Sequence, residues 1–140
     1  MGSIVARKRI YALQEAILST FSEAEVEAAV LACEVKHYFA PGVYIREMFM
    51  PQGTLVVGKK HKHAHSNILS LGVVKVVSEF DEFTAMAPYT FVSEAGTKRA
   101  LVATTDVMWT TIHPNPTDTR DLRLLESQII EEESLCHSLR

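Results

Sequence analysis

Short segments of alternating polarity follow one another through the middle of this chain. Between residues 43 and 113, apolar side chains recur at every second position in one segment after another, a pattern typical of β-strands with one buried face. Turn signals such as Pro51-Gln52-Gly53, Pro88 and Glu94-Ala95-Gly96 separate the segments, at the spacing expected of an antiparallel barrel or sandwich. The predicted strands are residues 43–50, 54–57, 68–71, 73–78, 83–87, 89–92, 98–104 and 107–113.

Helical periodicity flanks this β segment on both sides, so the expected class is mainly β with added helices (α+β). Residues 7–21 and 23–34 are predicted to form two helices that pair as a hairpin, the second starting at a capping box. From residue 117 or 118 onward the apolar spacing is helical again, which predicts a C-terminal helix. The first helix carries an apolar stripe that is long for a small domain, and we expect it to hold a homodimer together. The stripe comprises Ile10, Leu13, Ile17 and Phe21.

The size and charge of the chain restrict what it can do. With 140 residues, 47% of them hydrophobic, it is large enough for one sizeable core. We expect one domain, with a helical extension at residues 1–37, a barrel at 38–114 and a C-terminal helix at 115–140. A net charge of −3 argues against a main role in binding nucleic acid, which needs clustered Lys and Arg. The second predicted helix is rich in Glu and lacks Lys and Arg, which also argues against a helix-turn-helix reader of DNA.

Signals for secretion or membrane insertion are missing from the sequence. It has no apolar run of about 18 residues and no signal-peptide core, so we expect a cytoplasmic protein without a membrane partner. Cys33 and Cys136 lie outside any metal-type spacing and are interpreted as a reduced intracellular pair.

The stretch at residues 58–72, G-K-K-H-K-H-A-H-S-N-I-L-S-L-G, places three histidines at alternate positions. On a strand, His61, His63 and His65 would share one face, with neighbours about 6.6 Å apart at the Cα, near enough to converge on one ion. His61 and His65 would be about 13 Å apart on a straight strand, so an adjacent pair is the expected metal-binding unit. The other interpretation, a solvated strand whose histidines only form hydrogen bonds, stays open.

Two of these segments resemble the sequence motifs of the cupins, a family of small jelly-roll barrels. His-x-His followed by Gly72 resembles their first motif, and Gly96-Thr97-Lys98-Arg99 is similar to a degenerate second motif. With Pro41-Gly42-Val43-Tyr44-Ile45-Arg46-Glu47 and Trp109-Thr110-Thr111-Ile112-His113-Pro114, the chain resembles small single-domain cupin-like proteins of bacteriophages and prophages. The resemblance covers about residues 38 to 126 and implies a cupin-type jelly-roll barrel.

The resemblance also implies a set of metal ligands, which this chain keeps only in part. His61 and His63 match the histidine pair of the first motif, Asn67 stands at the position of the family's glutamate, and Arg99 stands at that of its last histidine. An amide offers only a neutral oxygen, and a guanidinium cannot bind a cation. The cofactor implied is a divalent transition metal such as Zn, Fe, Mn or Ni.

Other side chains are candidates to complete the site. His65 and His113 are further candidate metal ligands, and Glu47 is a candidate ligand, general base or partner of Arg99. If Arg99 points into the barrel, it favours a carboxylate or phosphate with bidentate geometry. Trp109 is either packed in the core or a platform for a bound ligand.

Three functions follow from these candidates. The favoured one is binding of a small anionic molecule in the barrel by Arg99, Asn67, Glu47 and Trp109, with a metal ion at the histidines. The second is a metal-dependent enzyme of isomerase, lyase or dioxygenase type, with Glu47 as a catalytic residue. The third is a noncatalytic phage protein that inhibits or sequesters a host molecule. A fold of this kind does not choose among them.

Overall fold

A computed structural model describes Ala12 and residues 33–58, 60–78 and 82–131. The predicted N-terminal hairpin lies almost wholly outside these residues, and so do Cys136 and the end of the predicted C-terminal helix. Within the described part, no helix is long and apolar enough to cross a membrane.

Nine antiparallel strands and one short helix make up the described residues, so the structure is mainly β, as the sequence predicts. The strands form two sheets, one of five strands in the order β1-β2-β9-β4-β7 and one of four in the order β3-β8-β5-β6. Their bounds are β1 Glu34–Ala40, β2 Val43–Met50, β3 Leu55–Val57, β4 His65–Leu71, β5 Val73–Ser78, β6 Glu82–Met86, β7 Tyr89–Ser93, β8 Arg99–Ala103 and β9 Val107–Pro114, and the helix α1 is Leu122–Ile129.

Pairing across the five-stranded sheet sets the rows of side chains that face the other sheet. In one row Tyr44 of β2 lies opposite His113 of β9. In the next, Arg46 lies opposite Thr111, which in turn lies opposite Asn67 of β4. A third row is apolar and belongs to the core between the sheets, whose buried members include Met48, Met50, Leu69, Val74, Val76, Leu101, Val107 and Trp109. The polar rows therefore lie toward one end of the sandwich, beyond this core.

Strand β1 differs from the sequence-based expectation, which placed residues 23–34 in a helix and extended the helical region to residue 37. The structure starts β1 at Glu34 and pairs it with β2 along its whole length. Burial alternates along the strand, so that Val35, His37 and Phe39 face the sandwich. Pairing with β2 satisfies the backbone groups along one side of this segment, and its period-two alternation buries one row of side chains only if the segment is a strand.

Helix α1 begins later than expected because Asp121 is its N-cap. The Asp121 carboxylate accepts hydrogen bonds from the backbone amides of Arg123 and Leu124 at 3.0 and 3.3 Å, which satisfies two of the amides exposed at a helix start. Leu125 and Ile129 are the buried residues of the helix, and they pack with Tyr44. The helix therefore covers the end of the sandwich at which the polar rows lie.

Candidate metal centre

Three histidines meet at the covered end of the sandwich. One nitrogen from each of His61, His65 and His113 lies within 4.8 Å of the other two. Zn–N bonds are about 2.0–2.1 Å long, so nitrogens bound to one tetrahedral ion lie about 3.4 Å apart. The most widely separated of the three nitrogens would therefore have to approach one another by about 1.4 Å to share one ion.

The strands position two of these histidines directly. His65 begins β4 and His113 lies near the end of β9, one step beyond the paired residues Ser66 and Ile112. The two rings are stacked with their centroids 4.8 Å apart, and the Tyr44 ring also stacks on His113, at 5.9 Å. These two candidate ligands are thus fixed by regular sheet pairing.

His61 reaches the centre by a different route, which corrects the expected geometry of the histidine stretch. It is not part of β4 but forms an isolated bridge with Ile130, and the chain bends at residues 62–63. Because of this bend, the His61 and His65 ring centroids are 4.2 Å apart, whereas a straight strand would hold the two residues too far apart. His63 is exposed, so the structure brings together the first and third histidines of the stretch and not an adjacent pair.

Burial keeps all three histidines neutral near pH 7. It lowers the pKa of His61 to about 2, with further contributions from the neighbouring His65 and His113. Burial also lowers the pKa of His65 to about 4 and that of His113 to about 3, assisted by Arg99 and by His65 respectively. A metal binds the deprotonated imidazole, so these side chains are ready to accept an ion without losing protons.

Hydrogen bonds around the histidines suit a metal site. Nε2 of His113 is 2.8 Å from the Thr111 hydroxyl, which fixes the orientation of the ring. Nδ1 of His65 is buried and has no hydrogen bond of good geometry among the described residues, although the His63 backbone and the Asn67 side chain lie near the ring. A buried nitrogen of this kind is unfavourable unless something binds it, and a metal ion in the centre would do so.

Asn67, at the position of the cupin glutamate, belongs to a hydrogen-bond network. Its amide nitrogen donates to the Ser93 hydroxyl at 2.7 Å, and its oxygen accepts from the indole nitrogen of Trp109 at 3.2 Å. Trp109 is buried in the core and packs edge-on against Phe91. Both residues line the cavity below the histidines, where they tie β4, β7 and β9 together.

Two arginines from opposite sheets line the same cavity. Arg99 comes from β8, and its guanidinium lies over the Phe91 ring at 4.8 Å. Arg46 comes from β2, and its charge contributes to the lowered pKa of His113. Arg46 was not among the candidates from the sequence. It lies two residues from Tyr44 and two from Met48, which both face inward, so alternation along β2 turns Arg46 inward as well.

The structure places Glu47 on the opposite face of β2, away from Arg99 and the histidines. It lies opposite Lys36 of β1 and Thr110 of β9, and it lines a separate cavity on that side of the sheet. Side chains alternate between the two faces of a strand, so Arg46 and Glu47 cannot both face inward. Among the residues that the structure describes, the acidic side chain lining the histidine cavity is Glu126 of α1.

The cavity itself has a volume of about 160 Å³, close to that of an engineered cavity known to hold benzene. Its walls combine the histidines and arginines with apolar side chains from the core and from α1. The apolar lining includes Met48, Val56, Leu101, Trp109, Leu122, Leu125, Ile129 and Ile130. The space suits one small molecule that has both a charged and an apolar part.

No protein-family model matches the sequence, and no curated protein is significantly similar to it. Solved structures do resemble this one. KdgF from Halomonas sp. is 16% identical, with 66% of this chain and 85% of that chain covered and a TM-score of 0.54. An RmlC-like cupin from Shewanella frigidimarina is 13% identical over 66% of this chain and 81% of that chain, with a TM-score of 0.54.

An acetylacetone dioxygenase from Acinetobacter johnsonii is 13% identical, covers 59% of each chain and has a TM-score of 0.51. Identities this low show a shared fold, and the activities in these names belong to those proteins. The three sources are bacteria, and nothing in the comparisons supports the expected phage origin. The described residues of this chain therefore share the fold of these solved structures, two facing antiparallel sheets of the jelly-roll type.

Proposed function

We propose that this protein binds a divalent transition-metal ion through His61, His65 and His113 and holds a small anionic molecule beside it. The observation that carries the proposal is the convergence of three neutral histidine nitrogens within 4.8 Å in a cavity. Three neutral imidazole nitrogens are a ligand set found at zinc sites, and buried groups with shifted pKa values cluster at functional sites.

The ligand chemistry favours particular metals. Imidazole suits Zn, Fe, Ni and Cu, whereas Mn prefers oxygen ligands. Three protein ligands leave at least one coordination position for water or for a bound molecule. The three described ligands are neutral imidazoles and do not offset the positive charge of the ion, which therefore attracts an anion.

The rest of the lining supports an anionic ligand. Among the described residues, the charged side chains that line the cavity are Arg46, Arg99 and Glu126, and these three together are net positive before any ion is added. A planar guanidinium binds a carboxylate or phosphate through two hydrogen bonds. The apolar floor, with Met48 and Trp109, would accept the remainder of the molecule.

A metal-dependent enzyme is the second candidate, because a three-histidine set with an open position is also the arrangement of catalytic zinc sites. Glu47, the catalytic candidate from the sequence, lines the separate cavity on the other face of β2. In an enzyme, Glu126 and Tyr44 would be the acid or base candidates, since both line the cavity. The reaction class is tested by turnover and not by binding alone.

Calorimetric titration of metal-stripped protein with Zn²⁺, Ni²⁺ and Mn²⁺ tests the proposal. We expect one Zn²⁺ per chain and weaker binding of Mn²⁺. His65→Ala and His113→Ala should each weaken Zn²⁺ binding by more than about 100-fold, since changes just outside a ligand set already cost about 10–100-fold. His63→Ala, on the exposed side of the stretch, is the matched control. Equal affinity in all three variants, or no binding by the wild type, would overturn the proposal.

A further inference from the structure

The segment that follows β9, residues 115–131, runs across the end of the sandwich that holds the histidines. We call it the C-terminal strap. It is anchored at its start by two hydrogen bonds to Gly42, whose oxygen accepts from Asn115 N at 2.9 Å and whose amide donates to the Asp118 carboxylate at 2.6 Å. From there α1 packs Leu125 and Ile129 on Tyr44.

The far end of the strap holds the loop that carries His61. Backbone hydrogen bonds join Lys62 N to Ile129 O at 2.7 Å and Glu131 N to Lys60 O at 2.9 Å, on either side of the His61–Ile130 bridge. The Lys62 ammonium also donates to the Ser127 carbonyl at 2.7 Å. On the sandwich side, the His61 carbonyl accepts from Gly96 N at 2.7 Å. His61 thus depends on the strap for its position.

A smaller share of the strap than of β9 is buried. Helix α1 has eight residues, of which two are buried, and its Leu122 and Leu124 are each 44% exposed. A helix this short is not stable by itself in water, so it forms only while docked. Segments with few buried contacts open locally without global unfolding. The strap can therefore leave the sandwich while β4 and β9 stay paired.

We propose that docking of the C-terminal strap and metal binding are coupled, so that the ion closes the strap over the cavity and release of the strap opens it. The proposal rests on the metal site proposed above. An undocked strap withdraws the support of His61 and leaves two strand-borne ligands, His65 and His113. A metal therefore binds the docked form more tightly, and by linkage it stabilises docking by the same factor.

The same movement provides an entrance for a small molecule. Five strap residues line one wall of the cavity, namely Leu122, Leu125, Glu126, Ile129 and Ile130. Undocking removes that wall without disturbing Arg99 or the core floor. The ligand would enter the open form, and the closed form would bury it against the ion.

Amide hydrogen exchange of the full chain, with and without Zn²⁺, tests the coupling. We expect Zn²⁺ to slow exchange in peptides covering 122–131 by about tenfold, within the usual range for two coupled sites. Peptides from the core strand β5 should be unaffected. Ile129→Ala should speed strap exchange in the metal-free protein and weaken Zn²⁺ binding by about tenfold, because apparent affinity falls with the docked fraction.

Arg123→Ala, on the exposed side of α1, is the matched control and should change neither quantity. If Ile129→Ala does not fold, Lys62→Met removes the ammonium–Ser127 hydrogen bond at the surface and should act in the same direction. The coupling is refuted if the wild type binds Zn²⁺ while strap exchange stays unchanged, or if the strap variants bind Zn²⁺ as tightly as the wild type. Absence of Zn²⁺ binding by the wild type would instead refute the metal site and, with it, the coupling.

Discussion

Acidification of the metal-free protein should destabilise it steeply, because three histidines are buried in the neutral form. Unfolding exposes them to water, where their pKa is about 6.5. In the folded protein, burial lowers the pKa of His61 to about 2, of His65 to about 4 and of His113 to about 3. Below pH 6.5 the unfolded chain therefore binds more protons than the folded one, and stability falls with pH until it reaches the folded pKa values.

The magnitude follows from the width of this window. At pH 5, about 1.5 units below the ordinary pKa, each fully buried histidine lowers the free energy of unfolding by about 2 kcal/mol. His61 retains more exposure than His65 and His113, so we assign it half of this effect. The expected loss in the free energy of unfolding at pH 5 is then about 5 kcal/mol in total. That loss is comparable to the whole stability of many small domains, about 5–15 kcal/mol.

Urea unfolding of metal-stripped protein between pH 8 and pH 5 measures this loss. The free energy of unfolding should be nearly constant above pH 7 and should fall below pH 6.5. His113→Gln should reduce the slope of this free energy against pH by the amount that corresponds to about one proton. His63→Gln, at an exposed position, should leave the slope as it is. A free energy of unfolding that stays constant from pH 7.5 to pH 5 would refute the assignment of three buried neutral histidines.

Three further predictions concern the ligand, the fold and the assembly. Arg99→Ala should abolish the salt-sensitive binding of small carboxylates to the zinc-loaded protein, as measured by calorimetry. Arg99→Lys should restore it in part, because lysine supplies a charge without the planar fork. Equal affinity in the wild type and both variants would remove Arg99 from the site. Gly72→Ala should lower the free energy of unfolding by more than about 2 kcal/mol. The reason is that Gly72 has a φ of +88° and that a Cβ there would collide with the Asp106 carbonyl. An unchanged denaturation midpoint would contradict this prediction. Leu13→Glu combined with Ile17→Glu should shift sedimentation from dimer toward monomer, and an unchanged profile in a folded variant would dispose of the predicted dimer.

The strands could be predicted from the sequence where the alternation of polarity is local and clear. The observed β2 and β5 have the predicted bounds, 43–50 and 73–78. Strand β1 could not be predicted, because its alternation follows directly on a segment with a strong helical pattern and becomes visible only through pairing with β2. Helix α1 was expected, and Asp121 moved its start by several residues.

Only the residue types of the site could be predicted from the sequence, and not how these residues group in space. His61, His65 and His113 were all among the candidates, but their grouping depends on the bridge between His61 and Ile130, two residues far apart in the chain. No local pattern contains that contact. A second limit is the choice of the inward face of β2. Both of its faces carry apolar residues, so the sequence alone does not say whether Arg46 or Glu47 points inward.

The most direct test of the central claim is native mass spectrometry with elemental analysis of the intact protein, because together they detect both a bound ion and a retained small molecule. Protein incubated with Zn²⁺ and desalted should carry one ion per chain, and His65→Ala should carry none while His63→Ala retains it. A small acidic molecule that leaves together with the ion would support the proposed anion site. Wild-type protein that stays free of metal after exposure to Zn²⁺, Ni²⁺ and Fe²⁺ would contradict the account.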